Sequence, residues 1–204
     1  MIQIVCRDFQ TPQVPINEVL RYMRAGKEIN DDIKKLAAEG IDRIRRAAIC
    51  RTCYVRVGVT LEAGGEISLG PLNLESTDLS RRLQGCDEAF IFAASIGIAT
   101  DRIIRAAEAV SPALSLACDA AGSALVEEVC ERLCDEFASE VFAENKICVT
   151  RFSAGYGDLD INYQRDIAGL LKTYRNIGAM LTSGVMMSPT KTVTAIVGVR
   201  CGVI

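Results

Sequence analysis

One apolar stripe constrains the fold of this chain more than any other feature. Between Ser111 and Phe142, apolar residues recur every three or four positions, as they do on one face of a helix. Ser111 and Pro112 are a favoured pair for the N-cap and the first turn. The pattern predicts one long helix over residues 111–142 whose apolar face packs against the rest of the fold. The stripe consists of Cys118, Ala121, Leu125, Val129, Leu133, Phe137 and Val141.

Shorter patterns predict the elements around this helix. Two prolines indicate an extended arm at residues 11–15. Alternating apolar and polar residues indicate a β-hairpin with strands at residues 54–61 and 66–69. The nearly all-apolar run at residues 89–96 is typical of a strand buried on both faces. Helices are predicted over residues 16–24, 31–48 and 100–110, and another is marked by apolar residues at positions 167–174 and should end before Gly178. A short helix is predicted between the caps at residues 76–78 and Gly85.

The end of the chain suggests a second hairpin. Its strands would be residues 180–187 and 192–199, joined by a turn at residues 188–191. Hairpins and helices follow one another without a regular strand-helix-strand alternation. The fold class is therefore predicted to be α+β, a mainly antiparallel sheet with helices packed against it. The 204 residues show no linker or repeat, so a single domain over residues 1–204 is expected.

Composition excludes two large classes of partner. The net charge is -3, from 23 basic and 26 acidic residues, and no basic run is longer than two, so a nucleic-acid partner is not expected. No apolar stretch approaches the roughly 20 residues of a membrane span. The first residues lack a charged segment followed by an apolar one, as a secretion signal would have. We therefore expect a cytoplasmic protein without a membrane partner.

The cysteine and histidine content limits the possible chemistry. Nine cysteines in a chain without an export signal are expected to be reduced thiols, mostly in the core. Cys50 and Cys53 form a CxxC motif, which can be a redox pair or half of a metal site, and a small enzyme using this pair is one alternative. No second CxxC and no histidine completes four metal ligands, so no metal site is predicted. Without histidine, any mechanism must also work without imidazole.

The segment TRFSAGYGDLD, residues 150–160, is the best candidate for a binding site. Arginine has a planar fork that suits a carboxylate, glycines allow close approach to the backbone, and a tyrosine ring can face a cation. The alternative is a solvated loop that caps the following helix. Lys191 would place a cation at the tip of the second hairpin, although a polar turn with a proline needs no ligand to explain it.

These motifs resemble the reactivation domain of cobalamin-dependent methionine synthase and its small stand-alone relatives. RFSAGYGDL is similar to that family's Arg-x-x-x-Gly-Tyr signature for binding S-adenosylmethionine (SAM), and LTSGVMMSPTKTVTAIVGV resembles the strand pair that follows it. The preceding FIFAASIGIATDRIIRAAEAV and DAAGSALVEEVCERL are similar to its strand, helix and long helix. The resemblance covers residues 87–199. It implies a SAM-binding part over residues 87–204, preceded by helices and a hairpin in residues 1–86.

The resemblance also implies roles for single residues. Arg151 would hold the methionine carboxylate of SAM, the backbone around Ser153 would meet the adenosine, and Tyr156 would pack on the ligand. The implied site is completed by Gly155, Glu131 and Lys191. Glu131 shares the polar face of the long helix with Glu127 and Asp135, so it reaches a ligand only if that face lines the cleft.

Two family features have no counterpart in this sequence. The family's domain continues beyond the point that corresponds to Ile204, and a tyrosine there contacts SAM. An acidic residue near the start of the family's domain has no match among residues 16–45. The resemblance therefore implies an incomplete SAM pocket, or one that a partner completes.

The implied activity is reactivation of a partner's cobalamin. Inactive cob(II)alamin would be reduced by one electron and methylated by SAM, and no side chain of this chain would act as an acid or base. The partner would be a methionine synthase or another corrinoid methyltransferase that lacks its own reactivation domain, since this chain has no room for a cobalamin-binding domain. The electron would come from a flavodoxin-like or ferredoxin-like donor. The alternative is a module that binds a corrinoid protein, or senses SAM, without supporting methyl transfer.

Overall fold

A computed structural model describes residues 3–26 and 29–202. The extreme ends of the expected domain, residues 1–2 and 203–204, thus lie outside the described residues. The helices are α1 (Ile16–Tyr22), α2 (Asp31–Ala47), α3 (Thr77–Arg82), α4 (Ile98–Val110), α5 (Pro112–Phe142), α6 (Tyr163–Leu171) and α7 (Thr173–Ile177). The strands are β1 (Val5–Phe9), β2 (Cys50–Leu61), β3 (Glu66–Leu69), β4 (Leu72–Glu75), β5 (Cys86–Ser95), β6 (Lys146–Cys148), β7 (Met180–Leu181), β8 (Met187–Ser188) and β9 (Thr192–Cys201).

Seven strands form one antiparallel sheet in the order β4-β3-β2-β5-β9-β6, with β1 paired to the first half of β2. The predicted α+β class is confirmed, as are the first hairpin, now β2 and β3, and the long helix, now α5. Strand β5 is buried on both faces as predicted, because helices cover each face. None of the helices in the described part of the chain is long and apolar enough to cross a membrane.

Two apolar cores lie on the two faces of the sheet. On one face, α1, α2, α4 and α5 pack against Phe90 and Phe92 of β5, and the Phe137 ring of α5 stacks on Phe90 with 4.0 Å between centroids. On the other face, α3, α6 and α7 pack against Ile91 and its neighbours. Successive strand residues point to opposite faces, which explains why apolar residues run without interruption along β5.

The close packing of α2 on α5 depends on one glycine. A Cβ atom built on Gly40 would lie 2.7 Å from the backbone carbonyl of Ala117. No side chain fits there without moving a helix backbone. Besides α2, the helices α1 and α4 and the sheet also pack against α5.

The second predicted hairpin is wrong. Residues 192–199 lie in β9, which pairs with β5 and β6 in the main sheet, whereas residues 180–187 form only the short β7–β8 pair. The chain reverses its direction earlier than predicted, within residues 182–186, where the amide of Thr182 donates to the carbonyl of Met186 at 2.8 Å. Residues 189–191 then carry the chain from β8 into the sheet, where β9 lies between β5 and β6.

Smaller differences have local causes. Strand β1 was not predicted because it is a mostly exposed edge strand without apolar alternation. The helix predicted over residues 167–174 is two helices, broken at Lys172, whose backbone is left-handed at φ 49°. Helix α4 begins at Ile98 and not at Thr100, because Gly97 turns the chain with φ 86° and Thr100 bonds back to its carbonyl at 2.7 Å.

Candidate functional site

The segment that follows β6 continues alongside β9 and carries the site. The amide of Val149 donates to Gly198 at 2.8 Å, and Phe152 and Ile196 exchange two backbone hydrogen bonds of 2.8 Å. The Phe152 side chain packs into the core beneath α3 and α6. Neighbouring residues of an extended chain point in opposite directions, so Arg151 is directed to the other side, toward α5.

Two carboxylates of α5 hold the guanidinium of Arg151. Its Nη2 atom lies 3.0 Å from Glu131 and also forms an ion pair with Glu127, one helical turn earlier. Burial by itself lowers the pKa of Arg151. Its neighbours, including both carboxylates, raise the pKa by more than burial lowers it, so the pKa of Arg151 lies above the ordinary value. Arg151 therefore remains a cation at any pH at which the protein works.

The other terminal nitrogen of Arg151 is a donor without an acceptor. Nη1 is buried and has no hydrogen-bond partner among the residues that the structure describes. A buried donor left unpaired costs free energy, about 1–3 kcal/mol. Such atoms are rare in native structures, and Nε of Arg56 is the other one among the described residues. A water, an ion or a ligand beside Arg151 would supply the acceptor.

A cleft of about 460 Å³ opens beside Arg151. Its volume is within the range of small-molecule sites in proteins, roughly 300–1,000 Å³. The segment after β6 forms one wall, α5 contributes Glu127, and the start of β9 forms another wall. The lining residues are Arg82, Glu127, Thr150, Arg151, Phe152, Ser153, Ala154, Tyr156, Gln164, Thr192, Val193 and Thr194.

The residues predicted from the loop motif are distributed around this cleft. Arg151, Ser153 and Tyr156 all line it. Gly155 does not, but its φ of +90° shapes the turn, in which its amide donates to Leu159 at 2.8 Å. The Tyr156 side chain is 68% exposed at the rim of the cleft, so its ring is free to cover a ligand.

Asp158 fixes the loop to α3. Its carboxylate accepts hydrogen bonds from the Ser76 hydroxyl and from the amides of Thr77 at 2.8 Å and Asp78 at 3.1 Å. These bonds, with that of Ser76 first, lower the pKa of Asp158 to about 2. The loop thus caps a helix that precedes it in the chain. Asp160 of the same loop also accepts hydrogen bonds from the backbone and side-chain amides of Asn162, both at 2.8 Å, at the start of α6, so the capping expected by the alternative interpretation is present as well.

Glu131 and Lys191 are placed differently from the loop residues. Glu131 contacts Arg151 but lines two smaller neighbouring clefts and not the main one. Glu127 lines the main cleft, where Glu131 was expected. The ammonium of Lys191 is turned to α5, 2.7 Å from Asp119 and 2.9 Å from Ser123, and the residue is not among those lining the main cleft. Gly122 lets the stem of Lys191 lie against the helix, since a Cβ atom there would be 3.2 Å from it.

The polar face of α5 explains both placements. Asp119, Ser123, Glu127 and Glu131 follow one another at four-residue spacing and form one stripe along the helix. Lys191 meets one end of this stripe and Arg151 meets the other. The condition stated for Glu131 is met only in part, because Glu127 of this face lines the main cleft whereas Glu131 lines its smaller neighbours.

Sequence reasoning missed several residues of the site. Arg82, Gln164 and the two threonines of β9 come from elements whose packing the sequence did not predict. Glu18 of α1 borders a smaller cleft of about 290 Å³ that Arg151 shares. An acidic residue from the N-terminal region therefore does line a cleft together with Arg151, although no motif marks it.

The CxxC motif is not a thiol pair in the folded chain. Cys50 and Cys53 lie on β2 and belong to the cores on opposite faces of the sheet. Burial raises the pKa of both thiols, that of Cys53 to about 12. The alternative of an enzyme built on this pair is thus contradicted by the geometry. No cluster of three metal-ligating side chains occurs among the described residues.

The fold and the cleft together define a class of protein: an α+β domain in which an antiparallel sheet, a long helix and an arginine-containing loop enclose a cleft of small-molecule size. No protein-family model matches the chain, and no curated protein matches it significantly. Among solved structures, it is similar to the crystal structure of the MetH reactivation domain bound to AdoHcy. The TM-score is 0.67 at 16% sequence identity, over 97% of this chain and 78% of that chain. The fold implied by the sequence resemblance is thereby confirmed.

Proposed function

We propose that this chain binds SAM in the cleft beside Arg151 and supports the reductive methylation of cob(II)alamin held by a partner. The unpaired Nη1 of Arg151 carries the proposal, because an arginine that lines a cleft and keeps an unsatisfied N–H group is suited to a ligand carboxylate. The similar fold of a reactivation domain that was solved with AdoHcy supports it.

The charges around the cleft fit a ligand of this kind. SAM carries a carboxylate, an ammonium and a sulfonium. Arg151 would hold the carboxylate, and Glu127 and Glu131 would face the two cationic groups. The exposed Tyr156 ring would cover the sulfonium by a cation–π contact. Backbone groups around Ser153 and Gly155 would meet the adenosine, which requires no charged partner.

The chain's own contribution would be binding and orientation. SAM would supply the methyl group, and the partner's cobalamin, reduced by one electron from cob(II) to cob(I), would accept it and leave S-adenosylhomocysteine. Arg151, fixed by two carboxylates, would set the position of the ligand, and the loop fixed by Asp158 would keep Tyr156 at the mouth of the cleft. Positioning of this kind would lower the activation barrier of methyl transfer without any side chain that gains or loses a proton.

The same proposal includes a partner, a donor and a location. The partner would be a methionine synthase or another corrinoid methyltransferase that lacks a reactivation domain, and the electron would come from a flavodoxin-like or ferredoxin-like protein. We place the chain in the cytoplasm, where its nine cysteines would stay reduced. Lys191, whose ammonium is turned to Asp119 and Ser123, would stabilise the packing of β9 on α5 and would not contact the ligand.

Calorimetry with SAM tests the binding step. We expect binding by the wild-type chain, alone or with its partner, and a loss of roughly 10- to 100-fold in affinity for Arg151→Ala. Arg132→Ala is the matched control, because Arg132, a residue of α5, is also paired with a glutamate of that helix, at 3.4 Å from Glu128, but lines no part of the cleft. No binding of SAM with or without the partner would refute the assignment.

A reconstitution tests the reaction. The chain, SAM, a reducing donor and the partner loaded with cob(II)alamin should regenerate methylcobalamin, which absorption spectroscopy detects. Wild-type chain should do so and Arg151→Ala should not. If SAM binds but no methylcobalamin forms, the chain is a SAM-sensing or corrinoid-protein-binding module instead.

A further inference from the structure

A second cleft adjoins the first along residues 150–152. Its volume is about 660 Å³, and it shares Arg82, Thr150 and Phe152 with the cleft beside Arg151. It extends away from α5, toward the C-terminal end of α3 and the C-terminal end of β9. The residues that line it are Asp78, Arg81, Arg82, Cys148, Val149, Thr150, Phe152 and Arg200.

This second cleft is strongly cationic in a chain whose net charge is -3. Three guanidinium groups line it against the single carboxylate of Asp78, which gives a local charge of +2. Arg81 is paired with Asp78 at 3.0 Å. Arg82 and Arg200 form no ion pair with any carboxylate in residues 3–26 and 29–202. Two guanidinium groups are thus available to a ligand.

The two available arginines come from different elements. Arg82 ends α3, and its guanidinium lies over the Phe152 ring, 6.0 Å from the centroid. Arg200 lies on β9, opposite Ile147 of β6. The Thr150 hydroxyl lies on the segment between them. An anion in this cleft would therefore have hydrogen-bond donors from three different segments of the chain around it.

We propose that this cleft binds a phosphate group. A carboxylate is planar, and one arginine fork is enough to satisfy its two oxygens. A phosphate group presents at least three strong acceptor oxygens in a tetrahedral arrangement, which suits two forks and a hydroxyl that approach from different sides. The site does not depend on SAM, so it holds or fails separately from the function proposed above.

Calorimetry with pyrophosphate and with inorganic phosphate, in the absence of SAM, tests this site. The titration is made at about 0.1 M salt, where charges farther apart than about 10 Å are screened. We expect both anions to bind, and R82A/R200A to weaken binding roughly tenfold or more. The matched control is R102A/R105A, which removes two exposed arginines of α4 and should leave binding unchanged.

Three further outcomes decide the proposal. An equal loss in R82A/R200A and R102A/R105A would show general charge attraction and overturn it, as would the absence of binding at this salt concentration. Succinate that binds as tightly as inorganic phosphate would show a carboxylate site and would also overturn it. R82K/R200K keeps both charges but not the forks, so it should fold normally and bind pyrophosphate more weakly than the wild type.

Discussion

The Nη2 atom of Arg151 lies 3.0 Å from Oε1 of Glu131, and the same nitrogen pairs with Glu127. Both carboxylates therefore occupy one side of the guanidinium and leave Nη1 free. The two glutamates are more than supports for the arginine, since Glu127 itself lines the cleft. They make the ligand environment partly anionic, which favours a ligand with more positive than negative groups.

Replacing both glutamates should change ligand preference as well as affinity. SAM has a sulfonium that AdoHcy lacks, so E127Q/E131Q should weaken SAM binding about fivefold more than AdoHcy binding, which corresponds to ~1 kcal/mol. Calorimetry with both ligands measures the ratio. E108Q/E136Q removes two exposed carboxylates outside the cleft and should leave the ratio unchanged. Equal losses for SAM and AdoHcy would show that these carboxylates do not face the sulfonium.

Lys191 should affect stability and not ligand binding. Its side chain is only 12% exposed and its ammonium lies 2.7 Å from Asp119, away from the main cleft. Because Asp119 is half exposed, Lys191→Met should lower the free energy of unfolding by only about 1 kcal/mol. Urea denaturation measures this loss, and calorimetry should show unchanged SAM affinity. Lys35→Met, which breaks an exposed pair of 3.7 Å with Asp32, should have little effect on either.

How far the sequence could predict this molecule depended on how local each signal was. The α5 stripe and the β5 run were sufficient, since their apolar patterns are long and regular. The partner of β9 could not be predicted, because apolar strands next to each other in sequence do not have to pair. Residues 180–187 reversed on themselves, so β9 paired with β5, far away in the chain.

The same difference applies to the site. Arg151 and Tyr156 were found because they belong to a contiguous motif with a family resemblance. Glu127 lies on the same helical face as Glu131, but no motif distinguishes it from a solvated charge. Arg82 reaches the cleft from α3, which Asp158 joins to the loop, and the sequence offers no sign of that contact.

The thiols should divide into two groups by reactivity. Cys6 and Cys201 are exposed, while the other seven cysteines are buried or partly buried. Burial raises the pKa of Cys134 and of Cys53 to about 12, so the reactive thiolate is scarce near neutral pH. Dithiobis-nitrobenzoate should label two thiols quickly in the native protein and all nine in urea. Rapid labelling of Cys50 or Cys53 in the native protein would contradict the buried placement of the CxxC motif.

The contact of α2 with α5 should not tolerate a methyl group. Gly40→Ala would place a Cβ atom 2.7 Å from the Ala117 carbonyl carbon and oxygen, and backbone atoms cannot move aside as a side chain can. We expect a loss of about 1–3 kcal/mol in the free energy of unfolding, measured with urea. Gly169→Ala on α6 is the control, since nothing lies within 4 Å of its added Cβ atom, and it should be neutral or stabilising.

Removing the carboxylate of Asp158 should loosen the site and change the acid stability of the protein. Its pKa in the folded state is about 2, below its ordinary value of 3.8, so its stabilising effect is fully present above pH 3.8 and is lost as the pH falls through about 2. Asp158→Ala should therefore unfold at a lower temperature than the wild type at pH 7, and this difference should shrink below pH 4. Asp166→Ala, an exposed aspartate of α6, should show no such convergence. Because Asp158 also joins the loop of Tyr156 to the helix of Arg82, Asp158→Ala should bind SAM more weakly at neutral pH, where the wild type is fully folded. Unchanged SAM affinity in a folded Asp158→Ala would show that the loop holds its conformation without α3.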